Sequence, residues 1–204
     1  MSREARRLQL IESTIETLAK HGYSRTTLTA VARAAGLSHG LVLFHFETKE
    51  KLLAETLTHL ADEYRQNWET ALQAVGDGPA EQLNALIKAD FRPEICTPTR
   101  LSAWCAFWGE AQSRPLYPQA CGTKDDAYNA TLEGICARLS RLGGYDRDPV
   151  HVARVIRVTI EGVWLDMMTM ARPYSRDEGL TTVRTCASLC FPDHFDTRGL
   201  KAAR

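Results

Sequence analysis

The chain has 204 residues, of which 44% are hydrophobic and 25% charged, and its formal net charge at pH 7 is zero. This composition is typical of a globular protein with a sizeable core in one or two domains, and no apolar run approaches the roughly 20 residues of a membrane span. The N-terminus leads into an amphipathic segment rather than a secretory signal, so we expect a cytoplasmic protein.

The charges are distributed unevenly along the chain. Residues 1–52 hold eight Lys or Arg against five Asp or Glu, and the remainder carries the opposite excess. A basic end on an acidic body fits contact with nucleic acid through one end only. An excess this small is also ordinary scatter of surface charge, so it only supports a DNA-binding motif found independently.

The N-terminal segments predict a chain of short helices. Apolar residues recur at helical spacing over residues 3–20, which predicts the first helix. A second is predicted over residues 28–35, where Thr26 or Thr27 can cap the start and Gly36 can end the helix in the left-handed conformation.

Ser38 can cap a third helix that runs to about Phe44, and Thr48 a fourth that runs to about Val75. A helix, a turn that contains glycine and a second helix form the helix-turn-helix pattern, whose second helix enters the DNA major groove.

These residues resemble a known family. The run 29–40, followed by Phe44-His45-Phe46 and the run 49–53, is similar to the N-terminal DNA-binding domain of the TetR family of repressors. The family usually has Tyr at the position of Leu43, where its hydroxyl meets a phosphate. Leu43 cannot make that contact, so we expect it to pack in the core and other residues to hold the backbone.

The resemblance implies a set of DNA contacts. Leu41 and Val42 can touch thymine methyl groups, and Gly40 allows close approach of the backbone. The full expected DNA-binding set is Thr27, Arg33, Ser38, His39, Gly40, Leu41, Val42, His45 and Lys49. Within it, Arg33, His45 and Lys49 are expected to position the protein on phosphates.

Every later segment also has helical periodicity, and no strand is predicted. Helices are expected over residues 79–91, 97–113, 118–142, 149–171 and 176–190, with the third introduced by Pro115 and Pro118. We therefore predict an all-α fold of about nine helices, with a DNA-binding domain at residues 1–48, a helical effector-binding and dimerisation domain at residues 49–192, and a mobile tail at residues 193–204.

Aromatic residues cluster in the predicted second domain. Trp104, Phe107 and Trp108 share one helix face, and aromatic faces near carboxylates hold quaternary ammonium ions through cation–π attraction. Further candidates for this site are Phe91, Glu110, Tyr117, Glu161 and Trp164. The same cluster at helical spacing is more often plain core, and the residues alone leave both interpretations open.

The runs 103–108 and 160–165 resemble one branch of the TetR family, the choline-responsive repressors of glycine betaine synthesis. The resemblance implies a homodimer, paired through the helices at 149–171 and 176–190, that binds operator DNA and loosens when choline binds. Another branch, the regulators of multidrug efflux, would accept varied lipophilic cations at the same cluster.

An enzyme is the competing class. A di-iron helical protein needs Glu-x-x-His pairs, and only Asp148-x-x-His151 comes near that pattern. The phosphate-binding and nucleophile-elbow glycine motifs do not occur. We therefore predict a protein that is not an enzyme and has no cofactor or metal site.

Six cysteines occur without a C-x-x-C pair and without a histidine at zinc-site spacing. We expect them to be small buried hydrophobic residues. Cys186 and Cys190 lie four residues apart, so a redox pair is the alternative for these two.

Overall fold

The computed structural model describes residues 2–110 and 115–202, and within that part the chain forms nine α-helices and one short antiparallel strand pair. The helices are α1 (Arg3–Arg25), α2 (Leu28–Ala35), α3 (His39–Phe46), α4 (Lys49–Gln73), α5 (Pro79–Ala89), α6 (Pro98–Trp108), α7 (Leu116–Gly143), α8 (Pro149–Thr169) and α9 (Arg176–Cys190). The predicted all-α architecture is confirmed. The end of the helix expected over residues 97–113 lies outside the described residues.

Local sequence signals set the helix ends. Side-chain oxygens of four residues accept a backbone N–H at 3.0–3.2 Å at the starts of helices: Thr27, Ser38, Thr48 and Asp148. Gly36 ends α2 at φ 65°, a left-handed conformation that costs glycine little because it has no Cβ. Gly22, at φ 74°, interrupts α1 near its predicted end, and one more turn carries the helix to Arg25.

The chain divides into two compact units, and the first consists of Met1–Glu63 with Thr97–Thr123. Within it α2 packs against α1 and α3, and α6 packs along α1. The Phe107 ring meets the Tyr23 ring edge-on at 5.8 Å. This grouping differs from the predicted boundary at residue 48, because α6 shares its buried face with the N-terminal helices.

The second unit consists of Tyr64–Cys96 with Lys124–Arg204. The buried face of α8 includes Ile156, Ile160 and Val163, and α9 packs against α8 and α5. Gly179 allows α9 to approach closely, since a Cβ there would lie 2.9 Å from Cε1 of Phe91. A larger side chain would force α9 away from its neighbours.

The expected absence of strands is wrong over the described residues, because the segment predicted as a mobile tail contains a strand pair. β1 (Phe195–Asp196) pairs antiparallel with β2 (Gly199–Leu200), and Phe195 is only 1% exposed. The segment is mostly polar, so little in the sequence indicated that the buried Phe195 holds it against α9. Residues 203–204 lie outside the described part.

Candidate functional site

The outward side of α3 is the first candidate site. Four residues on this side are exposed: His39, Gly40, Leu43 and Phe44. Ser38 is exposed at the N-cap, and Leu41 is partly exposed. A single helix with a free face fits the major groove of B-DNA, which is about 12 Å wide.

Val42 and His45 do not fit the contacts predicted for them. Val42 is 0% exposed and His45 only 8%, because residues three apart on α3 turn to the same inward side. Burial lowers the pKa of His45, and the positive charges of neighbouring arginines lower it further. His45 is therefore a neutral core residue, and the predicted phosphate contact is corrected.

Leu43 was expected in the core, and that expectation is wrong. Leu43 is 38% exposed and Phe44 67% exposed, with the Arg3 guanidinium 5.9 Å from the Phe44 ring. Sequence reasoning missed both as surface residues of the site. The available signal was that α3 is apolar almost all round, which is more than one buried face requires.

The remaining predicted DNA contacts surround this face in different roles. The Thr27 and Ser38 hydroxyls accept backbone N–H bonds as helix caps. The Lys49 ammonium donates to the carbonyls of Tyr23 and Ser24 at 3.3 and 3.2 Å, so it fixes the last turn of α1. Arg33 is exposed near the end of α2.

The predicted ligand residues fall into two groups. The first, here named the α6 aromatic group, lies in the first unit and contains Tyr23, Trp104, Phe107, Trp108 and Tyr117. Trp104 and Trp108 stack at 6.2 Å, and Nε1 of Trp108 donates to the Tyr117 hydroxyl at 3.2 Å. Glu110 lines a small cavity with Tyr23, Phe107, Leu116 and Tyr117.

The second group, here named the Asp90 centre, lies in the second unit and contains Tyr64, Trp68, Asp90, Tyr128 and Trp164. The Tyr64 hydroxyl donates to Oδ1 of Asp90 at 2.8 Å, and the Tyr128 hydroxyl to Oδ2 at 3.4 Å. Trp164 donates through Nε1 to the Asp90 backbone carbonyl at 3.2 Å. Three side chains, from α4, α7 and α8, thus converge on one acidic residue at the end of α5.

Two further predicted ligand residues adjoin this centre. Phe91, next in sequence to Asp90, is buried and faces Gly179 on α9. Glu161 pairs with Arg157 at 2.6 Å on the surface of α8. Neither residue makes a hydrogen bond to the Asp90 carboxylate.

The Asp90 carboxyl is fully buried, at 0% exposure. Burial raises its pKa to about 7, the Tyr64 and Tyr128 hydrogen bonds oppose that rise, and the negative charge of Glu161 adds to it. The same burial raises the pKa of both tyrosines well above the usual value. The centre therefore holds a carboxyl that changes charge near neutral pH.

Sequence reasoning missed Asp90, Tyr64, Trp68 and Tyr128. One signal was present: Asp90 is the C-cap of α5, where the helix dipole disfavours a negative charge. An acidic residue at that end needs another reason to be there. Tyr64 and Trp68 stand four residues apart on α4, but that spacing alone indicates only a buried face.

Within the described residues, no three His, Cys, Asp or Glu side chains are placed to hold a metal ion, and the six cysteines are free thiols. Cys186 and Cys190 stand one turn apart on α9, and a hydrogen bond from Cys190 lowers the pKa of the Cys186 thiol. The described helices include none with the length and hydropathy of a membrane span.

Two family models match the chain. Residues 10–56 match bacterial regulatory proteins of the tetR family, and residues 79–191 match the C-terminal region of BetI-type transcriptional repressors. The second match covers more than half of the chain, and it contains the whole Asp90 centre except Tyr64 and Trp68.

Curated relatives agree with these models. The chain is 28% identical over 192 residues to the HTH-type transcriptional regulator BetI of Paraburkholderia xenovorans strain LB400, covering 88% of this chain and 90% of the relative. It is 36% identical over 107 residues to BetI of Agrobacterium fabrum, covering 52% of each chain.

Solved structures share the fold. A putative transcriptional regulator from Pseudomonas aeruginosa PAO1 superimposes with a TM-score of 0.80 at 25% identity, covering 94% of this chain and 93% of that one. A putative regulator from Saccharomonospora viridis in complex with choline has a TM-score of 0.76 at 21% identity, covering 89% and 94%. The relatives are regulators rather than enzymes, and the chain belongs to the TetR family of bacterial regulatory proteins, with a C-terminal region of the BetI repressor type.

Proposed function

We propose that this repressor binds operator DNA as a homodimer and controls genes that convert choline to glycine betaine, and that choline loosens its hold on DNA. The DNA-binding and repressor character follow from the family. The choice of effector, the target genes and the dimer are the proposal.

The outward side of α3 is the proposed reading surface. His39, Gly40 and Leu41 keep their proposed contacts with base edges, and Leu43 and Phe44 replace Val42 as apolar contacts with thymine methyl groups. Thr27, Arg33 and Ser38 are exposed beside them and reach phosphates. Lys49 contributes indirectly, because it holds the last turn of α1 at Tyr23 and Ser24.

An apolar stripe on α8 is the proposed dimer surface. Val155, Val158, Gly162 and Leu165 follow one another at steps of three and four residues on the exposed side of this helix. On α9, Leu189 is 69% exposed. A patch of this kind marks an interface, and self-pairing of α8 and α9 sets two reading helices at the roughly 34–36 Å of one DNA turn.

The effector assignment is carried by one observation: within the BetI-type region the fold brings the aromatic residues Tyr128 and Trp164 together with the acidic residue Asp90. Such groups suit a quaternary ammonium, which cannot donate hydrogen bonds. The choline-bound regulator from Saccharomonospora viridis supports the choice, since it shares this fold. The proposed ligand residues form two separate candidate groups: Trp104, Phe107, Trp108, Glu110 and Tyr117 in the first unit, and Phe91, Glu161 and Trp164 in the second.

Fluorescence anisotropy with DNA from upstream of the flanking genes tests the proposal. We expect specific binding with a Kd of about 10⁻⁸ M or tighter at physiological salt. Saturating choline should raise that Kd roughly 5- to 150-fold, the usual range of allosteric coupling. The double variant His39→Ala, Phe44→Ala should bind at least roughly tenfold more weakly, because both side chains leave the reading surface.

Leu142→Ala is the matched control, since Leu142 is 67% exposed near the end of α7 and belongs to the second unit, whereas α3 belongs to the first. If the double variant and this control bind the DNA with equal affinity, the outward side of α3 does not read the operator. A response to bulky lipophilic cations with none to choline would instead assign the chain to efflux regulation.

A further inference from the structure

The Asp90 centre contains a buried carboxyl without a positive partner. Its two oxygens accept only from the Tyr64 and Tyr128 hydroxyls, and no Lys, Arg or His of the described chain pairs with it. The one nearby charge that acts on it, that of Glu161, is negative. A buried carboxylate in such surroundings is costly unless a cation joins it.

Aromatic rings surround this carboxyl. The Tyr64 ring lies 5.7 Å from the Tyr128 ring and meets the Trp164 ring edge-on at 5.9 Å. Trp68 meets Tyr128 edge-on at 5.8 Å. Their faces offer negative π-density, and a plain core would not need a carboxylate among them.

We propose that Asp90 is the counter-ion of the effector, and that Tyr64, Tyr128 and Trp164 enclose the methyl groups of its quaternary ammonium. This inference rests on the proposed function, which names the effector class, and adds the group that supplies the charge. A primary amine would need several hydrogen-bond acceptors, and the tyrosine hydroxyls here already donate to the carboxylate. The centre therefore favours a cation without N–H groups.

The hydrogen bonds indicate which contact gives way. The Tyr128 bond, at 3.4 Å, is longer than an ordinary hydroxyl bond, whereas the Tyr64 bond is 2.8 Å. The cation takes the place beside Oδ2 that Tyr128 holds weakly. Tyr64, on α4, remains hydrogen-bonded to Oδ1. A change at the Asp90 carboxylate therefore acts on α4 directly through this hydrogen bond.

Binding is coupled to a proton. The titratable groups that act on Asp90 are Tyr64 on α4, Tyr128 on α7 and Glu161 on α8. Burial raises the pKa of Asp90 to about 7 and holds the pKa of both tyrosines well above the usual value. A bound cation stabilises the carboxylate and expels the proton from the protonated fraction. At pH 7 about half a proton should leave for each cation bound, and almost none at pH 8.5.

Titration calorimetry of the full chain with choline, run at pH 7 and pH 8.5 in two buffers of different ionisation enthalpy, measures that release. The variant Asp90→Asn should lose affinity for choline by roughly tenfold or more and release no proton, while it still binds operator DNA. Asp126→Asn, an exposed carboxylate on the same helix as Tyr128, should match the parent chain within about twofold. Ethanolamine should bind the parent at least roughly tenfold more weakly than choline.

The outcomes separate the two proposals. Undiminished choline binding by a folded Asp90→Asn chain overturns the role of Asp90 and leaves the choline-responsive repressor intact. Operator binding by a parent chain that takes no choline overturns the effector itself. If Asp90→Asn does not fold, the variant Tyr64→Phe tests the role of Asp90 instead. The number of protons released on choline binding at pH 7 should then differ between Tyr64→Phe and the parent chain.

Discussion

At the scale of single residues, Asp90 shows how position sets chemistry. The residue ends α5, is fully buried and has only hydroxyl donors for its carboxylate. Burial raises its pKa to about 7, so below that pH the folded chain holds a proton that the unfolded chain releases near 3.8, the ordinary pKa of an aspartic acid. The folded state is favoured by protonation of Asp90, and that stabilisation is lost as the pH rises to about 7.

The variant Asp90→Asn should therefore flatten the dependence of stability on pH. Between pH 5 and pH 8 the parent should lose about 3 kcal/mol of unfolding free energy relative to the variant, since each pKa unit corresponds to about 1.4 kcal/mol. Urea denaturation at both pH values measures the difference. Parallel pH profiles for the two chains would show that Asp90 titrates normally, and Asp126→Asn provides the matched exposed carboxylate.

At the scale of elements, Arg100 joins three helices of the first unit. From α6 its guanidinium makes two bonds to Glu12 on α1, at 2.8 and 3.0 Å, and two to Glu63 on α4, both at 3.0 Å. His59 also lies 3.3 Å from Glu12. Partial burial alone would raise the pKa of Glu12, but the bonds and charge of Arg100 outweigh it and lower that pKa.

Replacement of this guanidinium should weaken the first unit. Arg100→Met removes the guanidinium from two half-buried carboxylates and leaves Glu12 only the His59 contact, and we expect a loss of about 1–3 kcal/mol in unfolding free energy. Lys51→Met, which breaks an exposed pair with Glu47 one turn away, should cost less than about 0.5 kcal/mol. Chemical denaturation of both variants makes the comparison, and equal losses would mean that Arg100 contributes only a surface pair.

The sequence predicted the helices and their ends well, but it predicted the candidate ligand site only partly. The caps at Thr27, Ser38 and Thr48 can be predicted because each depends on residues no more than three positions apart in the sequence. The turn at Gly36 is local in the same way. The Asp90 centre is different, because its rings come from positions 64, 128 and 164. Periodicity identifies the inward side of each helix but not which inward sides meet. The wrong prediction for Leu43 has the same cause, because its exposure depends on which side α3 turns towards α1 and α2.

At the scale of the whole molecule, the apolar stripe on α8 is the feature that calls for a second chain. Val158 is 51% exposed and Leu165 47%, while the opposite side of the helix is buried by its own unit. An unpartnered apolar row on a long helix is costly in water. We expect it to be covered by the same row of a partner through a two-fold axis.

Val158→Arg should separate the subunits, because it places like charges opposite one another across that axis. Analytical ultracentrifugation should give the mass of two chains for the parent and of one for the variant at micromolar concentration. Operator affinity should fall together with the dimer, since a single reading helix loses its paired half-site. Leu142→Arg changes an apolar site on α7 that is even more exposed, and this variant should remain a dimer. Dissociation of both variants would point to general disruption instead.

The packing of α6 along α1 also bears on how such proteins can be recombined. A gene segment cut after residue 48 would encode a head whose Tyr23 has lost Phe107 and whose Glu12 has lost Arg100. A workable hybrid with another repressor must therefore transplant two separated stretches, residues 1–63 and 97–123. A single genetic crossover is a disfavoured way to exchange operator preference for the same reason. Operator preference should instead change by point substitutions on the outward side of α3.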